Sequence, residues 1–294
     1  MIVHMADTTA DPPTSPLVTT AWLAEHLDDP SVTVVQLLYE PDIDDYSDGH
    51  IPGAVVQPWK RVLWDDFRRD FATPAQIAAR LGAIGVGPDD TLVLYSGRNH
   101  YAMYGYWVLH EMGGHANVRV LDGGIARWRL DGRPITTDVP ERRPVAYPVP
   151  DRVRNDATRV SRQEILAGLG SVGRVLVDAR SPEEYAGERV KPAPGPDHGA
   201  ESYGHIPGAR HLHARDLMDP TDGSVLPREE LETLLRSVGA APDQAREVIA
   251  YCRLSHRASS LWFVTTQILG WSHVRVYDGS WTEWGSMVGM PIER

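Results

Sequence analysis

Apolar and polar positions along this chain fall into two alternating rhythms. Short β-branched or aliphatic runs at Val32–Leu37, Thr91–Tyr95 and Val118–Leu121 recur later as Val175–Asp178, Val248–Tyr251 and Val274–Tyr277. Runs of this length and composition read as buried strands. Between them lie stretches that carry helix-start signals. Thr73-Pro74 sets a cap and a first-turn proline before Ala75–Leu81. Ser161-Arg162-Gln163-Glu164 is a capping box opening Gln163–Leu169. Leu226-Pro227-Arg228-Glu229 leads a helix through Leu235, and Ser259–Leu269 reads as another. This alternation predicts an α/β fold, a mostly parallel sheet with helices on both faces. The working site of such a sheet lies beyond the carboxyl ends of its strands.

The pattern is duplicated. Asp48-Gly49-His50-Ile51-Pro52-Gly53-Ala54 returns as Tyr203-Gly204-His205-Ile206-Pro207-Gly208-Ala209. Thr91–Ser96 returns as Glu247–Cys252, and Val118–Gly124 with Trp128 returns as Val274–Ser280 with Trp284. Three motifs in one order at nearly constant spacing mark a tandem repeat. Pro140, Pro144, Pro148 and Pro150 crowd the junction, which reads as an extended, solvated linker. The expected divisions are a disordered tail at 1–16, a first domain at 17–140, a linker at 141–157 and a second domain at 158–294.

Composition narrows the classes. The 294 residues suit two domains, with 42% apolar and 23% charged positions and a mean hydropathy of −0.32. No apolar run is long enough to cross a bilayer. A net charge of −11 argues against a general nucleic-acid or membrane-surface binder. The single cysteine excludes an internal disulfide, so a reducing cytoplasm is expected. The histidines show no metal-ligand spacing, and neither a metal nor a cofactor is expected.

That cysteine organises the rest. Cys252 follows the strand run Val248–Tyr251 and precedes a helix, in the segment Cys252-Arg253-Leu254-Ser255-His256-Arg257. Turn amides, the helix N-terminus and the nearby cations all favour a thiolate, which is the environment of a nucleophile. In an acidic protein this island of positive charge suggests an anionic substrate. The first repeat has Ser96 opposite Cys252, followed by Gly97-Arg98-Asn99-His100. A serine hydroxyl without a base beside it reads as a silent copy.

Two copies of His-Ile-Pro-Gly-Ala, then strand–Cys loop–helix, then Asp-Gly-Gly or Asp-Gly-Ser with a downstream Trp resemble the rhodanese family. Tyr251-Cys252-Arg253, Trp262-Phe263-Val264 and Tyr277–Trp284 are similar to its two-domain thiosulfate sulfurtransferases of actinobacterial type. The resemblance implies two tandem rhodanese-like domains, an inactive one at 17–140 and a catalytic one at 158–294. It also implies a sulfurtransferase that carries sulfur as a Cys252 persulfide from a small anionic donor, thiosulfate, to a thiophilic acceptor. That acceptor is cyanide, a small thiol, or a thioredoxin-like or sulfur-carrier protein. The alternatives are 3-mercaptopyruvate as donor, or a relay that loads sulfur and hands it to a partner without turnover. A cysteine phosphatase or arsenate reductase is disfavoured, because its loop has five residues between Cys and Arg and this one has four.

The expected substrate-binding set is Arg253, Leu254, Ser255, His256 and Arg257. Leu254 stands where the thiosulfate-type loop has lysine, and Ser255 where it has glycine, which implies either a small backbone strain or an alternative turn. Glu184 stands where the familiar two-domain enzymes carry an arginine, and Arg257 with Arg253 is expected to replace that cation. Around this set, Asp178 and Arg180 are read either as supports of the anion pocket or as a buried ion pair. His256 is read as a cation or proton donor, or as an outward-pointing ring. Trp281 is expected at the pocket wall and Trp284 in the core, while His50 and His205 are read as structural. The Pro/Gly-rich insertion 188–202 is a lid, an acceptor surface or a passive loop.

Overall fold

The computed structural model describes residues 15–39, 44–151, 155–194 and 196–294. The expected tail lies outside these residues except for Ser15 and Pro16, and the Pro16 carbonyl already accepts a hydrogen bond from the Val120 N–H.

Two five-stranded sheets account for the repeat. The first contains β1 (Leu17–Val18), β2 (Val32–Leu38), β3 (Val55–Pro58), β4 (Thr91–Tyr95) and β5 (Val118–Leu121), in the order β1-β5-β4-β2-β3. The second contains β6 (Arg159–Val160), β7 (Arg174–Asp178), β8 (Arg210–His211), β9 (Glu247–Tyr251) and β10 (Val274–Tyr277), in the order β6-β10-β9-β7-β8. The order is the same in both, and every strand pair is parallel. β2 is buried along its whole length, as a sheet covered on both faces requires.

The cap expected at Thr73 forms, as a full capping box on helix Pro74–Ala83, and the capping box expected at Ser161 opens a helix that ends earlier than expected, Arg162–Ala167. The expected Ser259–Leu269 helix begins earlier, at His256, and passes after Phe263 into a wider π-helical turn, Val264–Ile268. Its counterpart His100–Tyr106 does the same, continuing as Trp107–Met112.

These two helices run side by side in the same direction. Tyr101 and Tyr104 touch His256, Tyr106 meets Phe263 and Trp107 meets Trp262. One hydrophobic cluster therefore spans both domains, from Trp59 and Trp107 to Cys252 and Trp262. The N-termini of both helices lie together at the carboxyl edges of the two sheets. The junction segment differs from expectation. It is extended but bound, through Val145 N–H to Gly82 O, Arg142 to Thr33 Oγ1 and a Tyr147–His115 hydrogen bond.

Candidate active site

Cys252 directly follows β9 and is 1% exposed. The chain then turns through Arg253 and Leu254 to Ser255, whose φ of 68° is left-handed, and enters the His256 helix. A non-glycine residue is costly there unless its surroundings hold it. Three contacts do so. Ser255 Oγ donates to Asp278 Oδ1 at 2.8 Å, and Ser280 Oγ accepts from the N–H groups of both Ser255 and Cys252 at 3.2 Å. The strain expected at Ser255 is present, with its compensation.

Five amides of the turn and first helical turn remain open. The N–H groups of Arg253, Leu254, His256, Arg257 and Ala258 donate to no acceptor among the described residues. Open amides at a helix N-terminus form an anion site.

The cations divide into different roles. Arg257 is clamped by Glu184, Nη1 to Oε2 at 2.6 Å and Nη2 to Oε1 at 2.9 Å, with the carboxylate fully buried. Burial would raise the Glu184 carboxyl, but the two hydrogen bonds and the charge of Arg257 leave it below its ordinary range. The expected free cation at Arg257 is corrected to a compensated pair, and the acid is the residue that had been read as a missing arginine. Arg253 instead donates to the carbonyl of His198 at 3.0 Å; no carboxylate among the described residues pairs with it, and its buried Nε has no partner. It ties the Cys252 turn to the 188–202 insertion.

His256 is neither cation nor outward-pointing. Its ring is 8% exposed and seated among Trp59, Tyr101 and Tyr104, with centroids 4.4, 5.0 and 4.4 Å away. Burial, with His100 and nearby arginines adding to it, drives its pKa well below the ordinary value. At neutral pH it carries no charge.

Asp178 and Arg180 form the buried pair. Both are 0% exposed, Arg180 Nη2 lies 2.6 Å from Asp178 Oδ2 and from Gly204 O, and the guanidinium stacks on Trp281 at 4.4 Å. Trp281 is also fully buried, its indole N–H donating to Ser202 O, so it supports the insertion and is not an exposed pocket wall. Leu254 is half-buried. Trp284 and Trp128 occupy matching core positions, each donating to a proline carbonyl. His50 and His205 each stack on a tyrosine and bond to its carbonyl, in keeping with structural roles.

Around the mouth, His100 feels Arg257, Arg98, Arg215 and His213. Burial and these charges push it down to about 3. His213 is lowered in the same way, by burial and then by Arg257. The region is electropositive in an acidic protein. Among the described residues no group of three His, Cys, Asp or Glu could hold a metal ion, and no helix is long and apolar enough to cross a membrane.

Sequence reading missed Ser280, Asp278 and Arg69. The signal for Ser280 was available, since Gly124 is its counterpart in the first repeat and has no hydroxyl to hold a loop.

Comparison with known proteins shows the family and the fold. The rhodanese-like domain family model matches residues 19–131 and again 161–287. The chain is 40% identical over 282 residues to the "Sulfur carrier protein TtuD" of Thermus thermophilus, covering 95% of this chain and 96% of the relative. It is 40% identical over 278 residues to the "Putative thiosulfate sulfurtransferase" of Saccharopolyspora erythraea, covering 94% and 95%. Among solved structures, the anaerobic ergothioneine biosynthesis enzyme of Chlorobium limicola, in complex with trimethyl histidine, matches with a TM-score of 0.77 and 25% identity. That match covers 95% of this chain and 70% of the other. A persulfide form of EanB with ergothioneine matches with a TM-score of 0.79, 25% identity and coverage of 95% and 70%.

Proposed function

The chain belongs to the rhodanese family, and from that premise we propose that it moves a sulfane sulfur from thiosulfate to a thiophilic acceptor through a persulfide on Cys252. The observation that carries this reading is the set of five open amides and one guanidinium without a carboxylate partner among the described residues, around the only thiol. Such a setting favours a compact dianion over a neutral substrate.

In the first stage the Cys252 thiolate attacks the outer sulfur of thiosulfate. The S–S bond of the donor breaks, sulfite leaves with the electron pair, and the enzyme holds Cys–S–S⁻. In the second stage cyanide or a thiolate attacks the terminal sulfur, and the Cys252 thiolate departs with its electrons. The exchange needs no redox partner. Because Cys252 must return to the free thiol each cycle, a reducing compartment suits it, and we place the protein in the cytoplasm.

A second reading, a persulfide relay serving a protein acceptor, is favoured by the relative named as a sulfur carrier protein. One experiment separates the readings. Incubate the protein with thiosulfate or with 3-mercaptopyruvate and weigh it intact, with Cys252→Ser as control. One added sulfur from thiosulfate, followed by steady thiocyanate production with cyanide, supports the enzyme. Loading by mercaptopyruvate alone would overturn the donor, and loading without turnover until a partner protein is added would favour the relay.

A further inference from the structure

We propose that Arg69, on the silent first domain, is a positioning residue for the sulfur chemistry of the second, acting through Asp278 and Ser255 on the loop that bears Cys252. The proposal rests on the sulfur-transfer reading above.

Arg69 sits in the tight excursion between Trp64 and Phe71, which pair as an isolated antiparallel bridge. Asp65 folds this excursion by accepting the N–H groups of Phe67 and Arg68, and the Arg69 guanidinium lies 4.1 Å over the Trp64 ring. From there it reaches across the domain boundary. Its Nη1 donates to Asp278 Oδ2 at 3.1 Å, and its Nη2 to Asp278 Oδ1 at 3.0 Å and to the Asp278 carbonyl at 3.2 Å. A two-pronged contact of this kind fixes the orientation of the carboxylate as well as its charge.

Orientation matters because the same carboxylate holds the catalytic turn. Asp278 Oδ1 accepts the Ser255 hydroxyl, and Ser255 occupies the left-handed conformation that a serine does not adopt unaided. Two residues beyond Asp278, Ser280 takes the amides of Cys252 and Ser255. A carboxylate free to swing would let Ser255 relax, and the open amides and the sulfur would lose their common focus.

A purely structural account predicts something different. Asp278 keeps a second cation, Arg159 at 3.0 Å, and the domains are also joined by the apolar cluster around Trp59, Trp107 and Trp262. Removing Arg69 should therefore leave the fold and the domain contact largely intact while loosening the turn.

The test compares Arg69→Ala and Arg69→Lys with the wild type in thiosulfate:cyanide turnover and in thermal melting, on the full chain. Arg69→Ala should lower kcat roughly 10- to 100-fold, as misplacement of a reacting group does. Its KM for thiosulfate should rise by a smaller factor than kcat falls, since the loosened amides still have Arg253 beside them. Arg69→Lys should recover part of the loss, because it restores charge without the fork. On a Ser255→Gly background, which removes the hydroxyl without a φ cost, Arg69→Ala should add little further loss. Unchanged kcat, or a loss that follows only the unfolded fraction, would overturn the proposal, as would full additivity with Ser255→Gly. If the wild type transfers no sulfur from thiosulfate, the donor assignment fails instead. The rate of Cys252 alkylation by iodoacetamide then reads the strut independently, and equal rates in wild type and Arg69→Ala would dismiss it.

Discussion

Glu184 and Arg257 close on each other as a two-pronged ion pair, with contacts of 2.6 and 2.9 Å and the carboxylate wholly buried. A group expected to offer free charge to a substrate is thus neutralised within the protein. Glu184→Gln should release that charge. Breaking a buried pair from one side costs about 3 kcal/mol, so the urea midpoint should fall. The KM for thiosulfate should fall as well, because a bare guanidinium would then face the dianion. A KM that holds or rises would place Arg257 outside substrate contact.

Arg253 is the complementary case. It has no carboxylate partner among the described residues and reaches only the His198 carbonyl. Arg253→Met keeps much of the stem and removes the charge. A charge-assisted hydrogen bond contributes about 1.5–3 kcal/mol, so the thiosulfate KM should rise roughly ten- to hundred-fold. The melting temperature should move little, and a KM within two-fold of wild type would exclude Arg253 from donor binding.

Stability should depend on the buried histidines. His256 and His213 are held below their ordinary pKa and His100 is pushed down to about 3, in each case chiefly by burial. Unfolded histidine takes a proton near about 6.5, so below that pH the unfolded chain binds more protons. Stability is then full above about pH 6.5 and is lost as the pH falls toward the folded-state values. His256, enclosed by three aromatic rings, should contribute much of that loss. Urea unfolding at pH 7.5 and 5 measures it, and His256→Gln should flatten the dependence. An identical slope in the variant would mean that this ring charges without penalty.

Ser280 and Ser96 should respond oppositely. Ser280→Ala strips the acceptor from two buried amides, at about 1–3 kcal/mol for each one left unmade, and persulfide loading should slow markedly. Ser96 is buried at the matching position of the first domain, where its hydroxyl accepts the Arg98 N–H and no other donor among the described residues, so Ser96→Ala should leave turnover unchanged. A large loss there would show the first domain taking part in the chemistry.

Much of this was legible in the chain. Strand runs, capping boxes and the repeated His-Ile-Pro-Gly segments are local signals, and the two sheets follow them with the same strand order. The position of Cys252 at a carboxyl edge followed from the strand preceding it. What stayed hidden was pairwise and distant. Nothing near Arg257 announces Glu184, 73 positions earlier, and nothing near Asp278 announces Arg69, 209 positions earlier. His256 was misread because its ring finds its surroundings in the other half of the molecule, among Trp59, Tyr101 and Tyr104. Charge counts cannot show compensation; only geometry does.

The aromatic seat of His256 bears on how such a duplicated chain diverges. The first half, which has serine where the second has cysteine, is still not free to drift, because its helix His100–Tyr106 houses the ring four places after Cys252. Substitutions there are screened by events in the sibling half. Cutting the chain at the junction would strip the His256 ring of its aromatic seat and the Asp278 carboxylate of Arg69, so each copy carries part of the other's interior.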